Sequence, residues 1–455
     1  MKGSRNHVRR LASQSRRHLW YPFTQMAGWN KQPLLIIVRG KGPYLWGHDG
    51  YRYLDGTSSL WVNLHGHRHP ALDRAIAAQL RRTAHTTLLG LSHPPAIELA
   101  SELVRRAPVG LSRVFYSDNG STAVEVALKM AFQFWQLSGR TGRRKRTFIN
   151  FANSYHGDTL GAVSVGGIDL FHQRFAPLLF PTLKVHSPYC YRCPLKLRYP
   201  ECGIACLDQL EQTLKRRRDE VAGVVIEPLV QAAAGMVTAP PGHLQRVREL
   251  TRRYDTLLIA DEVATGFGRT GRLFACEHEA VTPDLMAIAK GLTGGYLPLA
   301  ATLTTERIYR AFLGPYAKFK TFFHGHSYTG NPLGCAAALA NLNIFDAEGT
   351  LAAAQSAANE LHDALQPVAD LPHIGQIRQC GLMVGIELVK NRTTSTPYPP
   401  AQRTGHRVCL EARRRRLLLR PLSDVIVLMP PLSITRSLIR RMADIVGRSI
   451  ARVTG

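Results

Sequence analysis

Apolar residues spaced by four at Leu72, Ile76 and Leu80, just after Pro70, predict an amphipathic helix. Ahead of it, residues 34–38, 44–46 and 51–54 read as short strands. The last two are joined through the turn pair Asp49-Gly50. Residues 1–18 read as flexible, so order is expected to begin in residues 19–26.

Further along, the short apolar strand 114–116 runs into Ser117-Asp118-Asn119-Gly120-Ser121 and then into an amphipathic stretch, 122–135. Strand, glycine turn and helix make one alternating α/β unit. Strands at 147–151, 221–226, 257–260, 285–289 and 299–303 continue the series, with a helix over 243–254. Their recurrence predicts a mostly parallel sheet covered by helices. Ligands of such sheets lie beyond the carboxyl ends of the strands, where Asp261 and Lys290 both fall.

After about residue 340 the pattern changes. Helices over 333–347 and 352–365 precede a strand at 385–388, a helix near 400–415, a strand at 425–428 and a helix over 433–450. Residues 393–400 read as a loop. The expected division is 1–60 as an arm and part of a small domain, 61–340 as a large domain, and 341–455 as the rest of the small α/β domain. A chain of 455 residues that is 45% hydrophobic has the core material for both.

The formal charge of +26 attracts anions. Its arginine clusters, such as 143–146 and 413–416, lack the interleaved aromatics of a nucleic-acid surface and read as solvated helix ends and loops. A salt-sensitive basic binding protein is therefore the remote alternative to an enzyme. No apolar run reaches membrane-span length, and no apolar core follows the basic start MKGSRNHVRR, so a cytoplasmic protein without a signal peptide is expected. Four of the eight cysteines, Cys190, Cys193, Cys202 and Cys206, are spaced C-x2-C-x8-C-x3-C. They form either a closed structural zinc site or four free thiols.

The candidate chemistry gathers at strand ends. Lys290 follows an apolar run and precedes Gly291, Gly294 and Gly295. An amine held there can condense with an aldehyde cofactor. Asp261 or its neighbour Glu262 can face a cationic ring nitrogen and keep it protonated. Asn119-Gly120-Ser121 opens a helix, where free N–H groups suit a phosphate or an ordinary cap suffices. Tyr155 can cover a flat ring, and Glu227 can orient a cofactor oxygen through its neighbours. The stretch 322–331 is dense in glycine and polar groups, with Gly325, Ser327 and Thr329 suited to contact phosphate. Arg420 can pair bidentately with a carboxylate or make a surface ion pair.

Taken together, LWYPFTQM (19–26), FYSDNGSTAVEVALKMAFQFW (115–135), YHGDTLGAVSV (155–165), DEVATGFGRTGRLFACEH (261–278), AKGLTGGYLP (289–298) and FFHGHSYTGNPLGCA (322–336) resemble the class III aminotransferases of fold type I. Within them the chain resembles the 8-amino-7-oxononanoate aminotransferases, which make 7,8-diaminononanoate in biotin synthesis. The resemblance implies pyridoxal 5'-phosphate as cofactor, carried by Lys290, with Asp261 on its ring nitrogen, Gly120 and Ser121 on its phosphate and Tyr155 on its ring. It implies a homodimer, in which Ser327 and the backbone at His326 reach the partner's phosphate. Trp61, Phe23, Gly325 and Arg420 are implied around the substrate, Arg420 on its carboxylate. The amino donor is implied to be S-adenosylmethionine. At Phe23, near Leu60 and at 324–328, however, the sequence looks more like members that use lysine. A class III enzyme acting on ornithine, 4-aminobutyrate or ω-amines is the enzymatic alternative.

Overall fold

The structure, a computed structural model, describes residues 2–455. Its centre is a sheet of β1 (Leu111–Ser117), β2 (Thr147–Phe151), β3 (Leu183–Val185), β4 (Val221–Ile226), β5 (Leu257–Asp261), β6 (Leu285–Ile288) and β7 (Ala300–Thr305). The spatial order is β1-β7-β6-β5-β4-β2-β3. The run from β6 to β3 is parallel, and β7 lies antiparallel to both β6 and β1.

Every residue of β4, β5 and β6 is buried, which is why they read as unbroken apolar runs rather than alternating ones. Helix Gly120–Leu137 covers one face through Val124, Ala127, Ala131 and Trp135. Helices Asp208–Arg217 and His243–Arg253 cover the other through Leu210, Leu214, Leu244 and Leu250. Each such buried leucine contributes about 2 kcal/mol relative to exposure. Asp261 pairs in register with Ala287, so the end of β5 and Lys290 just beyond β6 share one edge of the sheet.

A second sheet, antiparallel throughout, orders Ile374–Cys380, Met383–Leu388, Val425–Leu428 and Arg420–Leu422. A third joins Ile37–Lys41, Tyr44–Gly47 and Arg52–Asp55 to Leu417–Leu418, which pairs parallel with the last of them. The amino-terminal arm is thereby hydrogen-bonded to the carboxyl-terminal part of the chain.

Two expectations need correcting. Residues 2–18 form a helix, Lys2–His18, rather than a flexible lead. It contains no proline, and its last turn carries Arg16, Arg17 and His18, which suit the negative end of the helix dipole. Strand Ile374–Cys380 was not anticipated, because its half-buried sequence IGQIRQC lacks an apolar run.

Candidate active site

The shared strand edge opens into a cavity of about 530 Å³. Lys290 lies half-buried on its floor, at the start of a short 3-10 turn, Lys290–Thr293. Its φ of 45° is in the left-handed region, which a residue with a β-carbon occupies only under constraint. The amine Nζ lies 5.3 Å from the ring centroid of Trp61, which forms a wall of the cavity. Burial lowers the Lys290 pKa, the charge of Arg269 lowers it further, and Asp261 and Glu227 oppose them.

Asp261 is 4% exposed. Its Oδ1 accepts the Val263 N–H at 3.0 Å, and its Oδ2 meets His156 Nδ1 at 2.7 Å. Burial alone would push His156 down, but the hydrogen bond and charge of Asp261, with Glu227, outweigh it and raise the imidazole pKa. Glu262 turns away, accepting the Cys276 N–H at 2.8 Å and the Thr265 hydroxyl. Successive side chains of a strand point to opposite faces, so only the first of the two acids can reach the cavity.

Glu227 lies just beyond β4. Its Oε2 accepts the Tyr155 N–H and its Oε1 the Ala232 N–H, both at 3.0 Å. Burial, reinforced by Asp261 and opposed by His156 and the two backbone bonds, raises its pKa to about 7. Tyr155 flanks the cavity and donates its hydroxyl to Asp158 at 2.8 Å.

At the opposite pole stands the start of helix Gly120–Leu137. Asn119 caps it by accepting the Thr122 N–H at 3.1 Å, while the N–H groups of Gly120 and Ser121 have no intrahelical acceptor. Ser121 Oγ accepts the Asp158 N–H at 3.1 Å and keeps its own proton to donate. A β-carbon on Gly120 would come within 2.6 Å of Val263, so only glycine lets the helix start approach this wall.

These groups fit a phosphorylated pyridine aldehyde: anion-binding N–H groups at one pole, a buried carboxylate for a ring nitrogen, and an amine of lowered pKa for the aldehyde carbon. A lysine and an aspartate at neighbouring strand ends, facing a helix start, define a fold-type I pyridoxal-phosphate enzyme. Residues 25–450 match the family described as Aminotransferase class-III, and the chain belongs to that family.

The chain is 54% identical over 445 residues to the adenosylmethionine-8-amino-7-oxononanoate aminotransferase of Nitratidesulfovibrio vulgaris, covering 98% of this chain and 82% of the relative. It matches the crystal structure of the same-named enzyme from Methanocaldococcus jannaschii with a TM-score of 0.94 at 41% identity, covering 98% of this chain and 99% of that one. An amine transaminase from an uncultivated Pseudomonas species, solved in its PLP-bound form, matches with a TM-score of 0.91 at 37% identity, covering 96% and 99%.

The fold brings Lys290, Asp261, Tyr155, Gly120, Ser121, Glu227 and Trp61 to one cavity. Phe23, 54% exposed, stands edge-on to Tyr155 at 6.4 Å. Gly325, His326 and Ser327 do not line the cavity of their own chain, although His326 Nε2 comes within 3.9 Å of Asp118 at its rim. Arg420 is exposed and also lies outside the lining. The four cysteines line a separate cavity of about 20 Å³ as free thiols. No group of three or more His, Cys, Asp or Glu side chains is arranged to hold a metal ion among the described residues. Residue reasoning assigned no role to His156 or Val263. His156 sits inside the motif Tyr155-His156-Gly157-Asp158, but a histidine beside a candidate stacking tyrosine does not announce which carboxylate it meets.

Proposed function

We propose that this chain transfers an amino group from S-adenosylmethionine to 8-amino-7-oxononanoate, giving 7,8-diaminononanoate for biotin synthesis. One observation carries the reading. The Lys290 amine and the Asp261 carboxylate share a cavity floor, in a chain 54% identical over 98% of its length to an enzyme named for that reaction.

Bound pyridoxal phosphate supplies an electron-poor ring that takes up the electron pair left when a substrate C–H proton departs. Asp261 provides the counter-charge for its ring nitrogen, held in place by His156 and the Val263 N–H. Gly120 and Ser121 hold the phosphate, Tyr155 covers a ring face, and Glu227 fixes the backbone at Tyr155. With the cofactor bound, the Lys290 amine would stand at the cavity floor as the base that takes the proton from substrate carbon, and the burial that lowers its pKa favours the uncharged form this needs. Donor and acceptor use the cavity in turn, which gives ping-pong kinetics.

Trp61 walls the substrate, with Phe23 at the mouth. Arg420 takes the substrate carboxylate. Its guanidinium has no ion-pair partner among the described residues, and its strand neighbour Val427 packs in the cluster that contains Trp61. The site is completed in a homodimer, where Gly325, His326 and Ser327 serve the partner's cavity. Trp20, Leu89, Phe323 and Tyr328, exposed by 88%, 72%, 72% and 63%, supply apolar area for such a contact. A cytoplasmic enzyme with its cofactor domain over 61–340 belongs to the same proposal. No described helix is long and apolar enough to cross a membrane.

The test incubates the purified holoenzyme with the keto acid and either S-adenosylmethionine or lysine. Diamine from S-adenosylmethionine alone is expected. Diamine from lysine alone would overturn the donor assignment. Turnover only with ornithine, 4-aminobutyrate or simple ω-amines would overturn the acceptor.

A further inference from the structure

Among the described residues, Arg269 is the largest side chain that is fully buried, at 1% exposure. No carboxylate lies within ion-pair distance of it among the described residues; its partners are two carbonyls. Nη1 donates to Pro430 at 2.6 Å and Nη2 to Asn63 at 2.9 Å. A buried guanidinium with no carboxylate in contact is costly, and burial, opposed by the charge of Asp55, lowers its pKa to about 9, which still leaves it charged at neutral pH. The segments it joins give the reason for tolerating it.

Asn63 closes a turn that carries Trp61. Within that turn Ser58, Ser59 and Trp61 have φ values of 50°, 60° and 64°, all in the left-handed region. Three non-glycine residues there hold only under outside constraint. Asp55 supplies it from the amide side, accepting the N–H of Ser59 at 2.8 Å and of Thr57 at 3.3 Å. Ser58 Oγ donates to the Met429 carbonyl at 2.8 Å. Arg269 supplies it from the carbonyl side and ties it to the next residue of the same carboxyl-terminal segment. What the turn delivers is the Trp61 ring, 5.3 Å from Lys290 Nζ.

We propose that Arg269 is a positioning residue for the transamination. Through the Asn63 and Pro430 carbonyls it fixes Trp61 as the wall over the Lys290 amine. The proposal rests on Lys290 being the reacting amine. The same fixed charge acts with burial against protonation of Lys290, while Asp261 and Glu227 act for it. Arg269 therefore bears on both the shape of the cavity and the basicity at its floor.

The experiment compares wild type, R269K and R269Q as apoprotein and as holoenzyme. Three quantities are read: amide hydrogen exchange of the 57–63 segment, the pH midpoint for reductive methylation of Lys290 in the apoprotein, and KM against kcat. Lysine keeps the charge but cannot span both carbonyls. R269K is expected to speed exchange in 57–63 and to raise KM for the keto acid about tenfold with kcat nearly kept. R269Q is expected to move the Lys290 midpoint up. R269K added to W61A is expected to cost little beyond W61A alone, since both act on one wall.

Wild-type exchange and KM in R269K, or effects of R269K and W61A that simply multiply, would overturn the proposal. An unchanged Lys290 midpoint in R269Q would remove the electrostatic half. Should R269K not fold, Asp55→Asn loosens the same turn from its amide side. The same exchange and KM signature is then expected, and its absence counts against the positioning role. A wild-type apoprotein in which Lys290 titrates like an ordinary surface lysine would instead undo the assignment of the reacting amine, before any Arg269 variant is considered.

Discussion

Two carboxylates at the ends of neighbouring strands are held in opposite ways. Asp261 is paired with His156, and in the proposed function it meets the cationic ring nitrogen. Glu227 is pushed by burial to a pKa of about 7, against an ordinary value of 4.5. A carboxyl whose folded pKa is raised holds a proton that the unfolded chain has lost. The stabilisation this gives is complete below pH 4.5 and is lost as pH climbs to about 7. Glu227→Gln removes the titration. Relative to that variant, wild-type apoprotein is expected to lose about 3 kcal/mol of unfolding free energy between pH 4.5 and about pH 8. Chemical denaturation of both proteins across that range measures it, and a constant difference would show that Glu227 keeps an ordinary pKa. The position of these acids at strand ends was legible in the sequence. The choice between Asp261 and Glu262 was not, because strand alternation separates the two without saying which face the cavity takes.

Among elements, the start of helix Gly120–Leu137 is the most exacting. Gly120 abuts Val263, and the Val263 N–H holds Asp261 Oδ1, so the proposed phosphate and ring-nitrogen poles are mechanically joined. Gly120→Ala forces a methyl to within 2.6 Å of Val263 unless one side yields. Cofactor affinity of the apoprotein is expected to fall at least tenfold, about 1.4 kcal/mol, with the fold retained; titration followed by cofactor absorbance gives the number. Unaltered affinity would mean that the two poles are independent. Strand β4 stood out in sequence because burial on both faces leaves only apolar residues. Strand Ile374–Cys380 has a half-buried face and no such run, and helix Lys2–His18 has only a narrow stripe, with Val8, Leu11 and Ala12 half-buried and the polar Ser15 buried, too little apolar surface to mark a period. The reversed direction of β7 leaves no mark on an apolar run, since direction is set by the connection and not by the residues.

At the scale of the whole molecule, the segment that carries Gly325, His326 and Ser327 lies outside the cavity of its own chain, with Phe323 and Tyr328 exposed beside it. If these residues serve a partner's phosphate, each site takes Lys290 from one subunit and Ser327 from the other. Lys290→Ala removes the amine. Ser327→Asp puts a carboxylate against a phosphate and repels it. Neither homodimer should be active. A mixed dimer of the two variants gathers both lesions into one site and leaves the second site wild type. Random pairing makes about half the dimers mixed, so coexpressed chains should regain roughly a quarter of wild-type activity. Differently tagged subunits purified in tandem would isolate the mixed species, for which the expected value is about half. Activity no greater than the sum of the two parents would place Ser327 in its own subunit's site or in none. Recovery fixes the homodimer as the catalytic unit, because no arrangement within one chain can restore a site from these two substitutions.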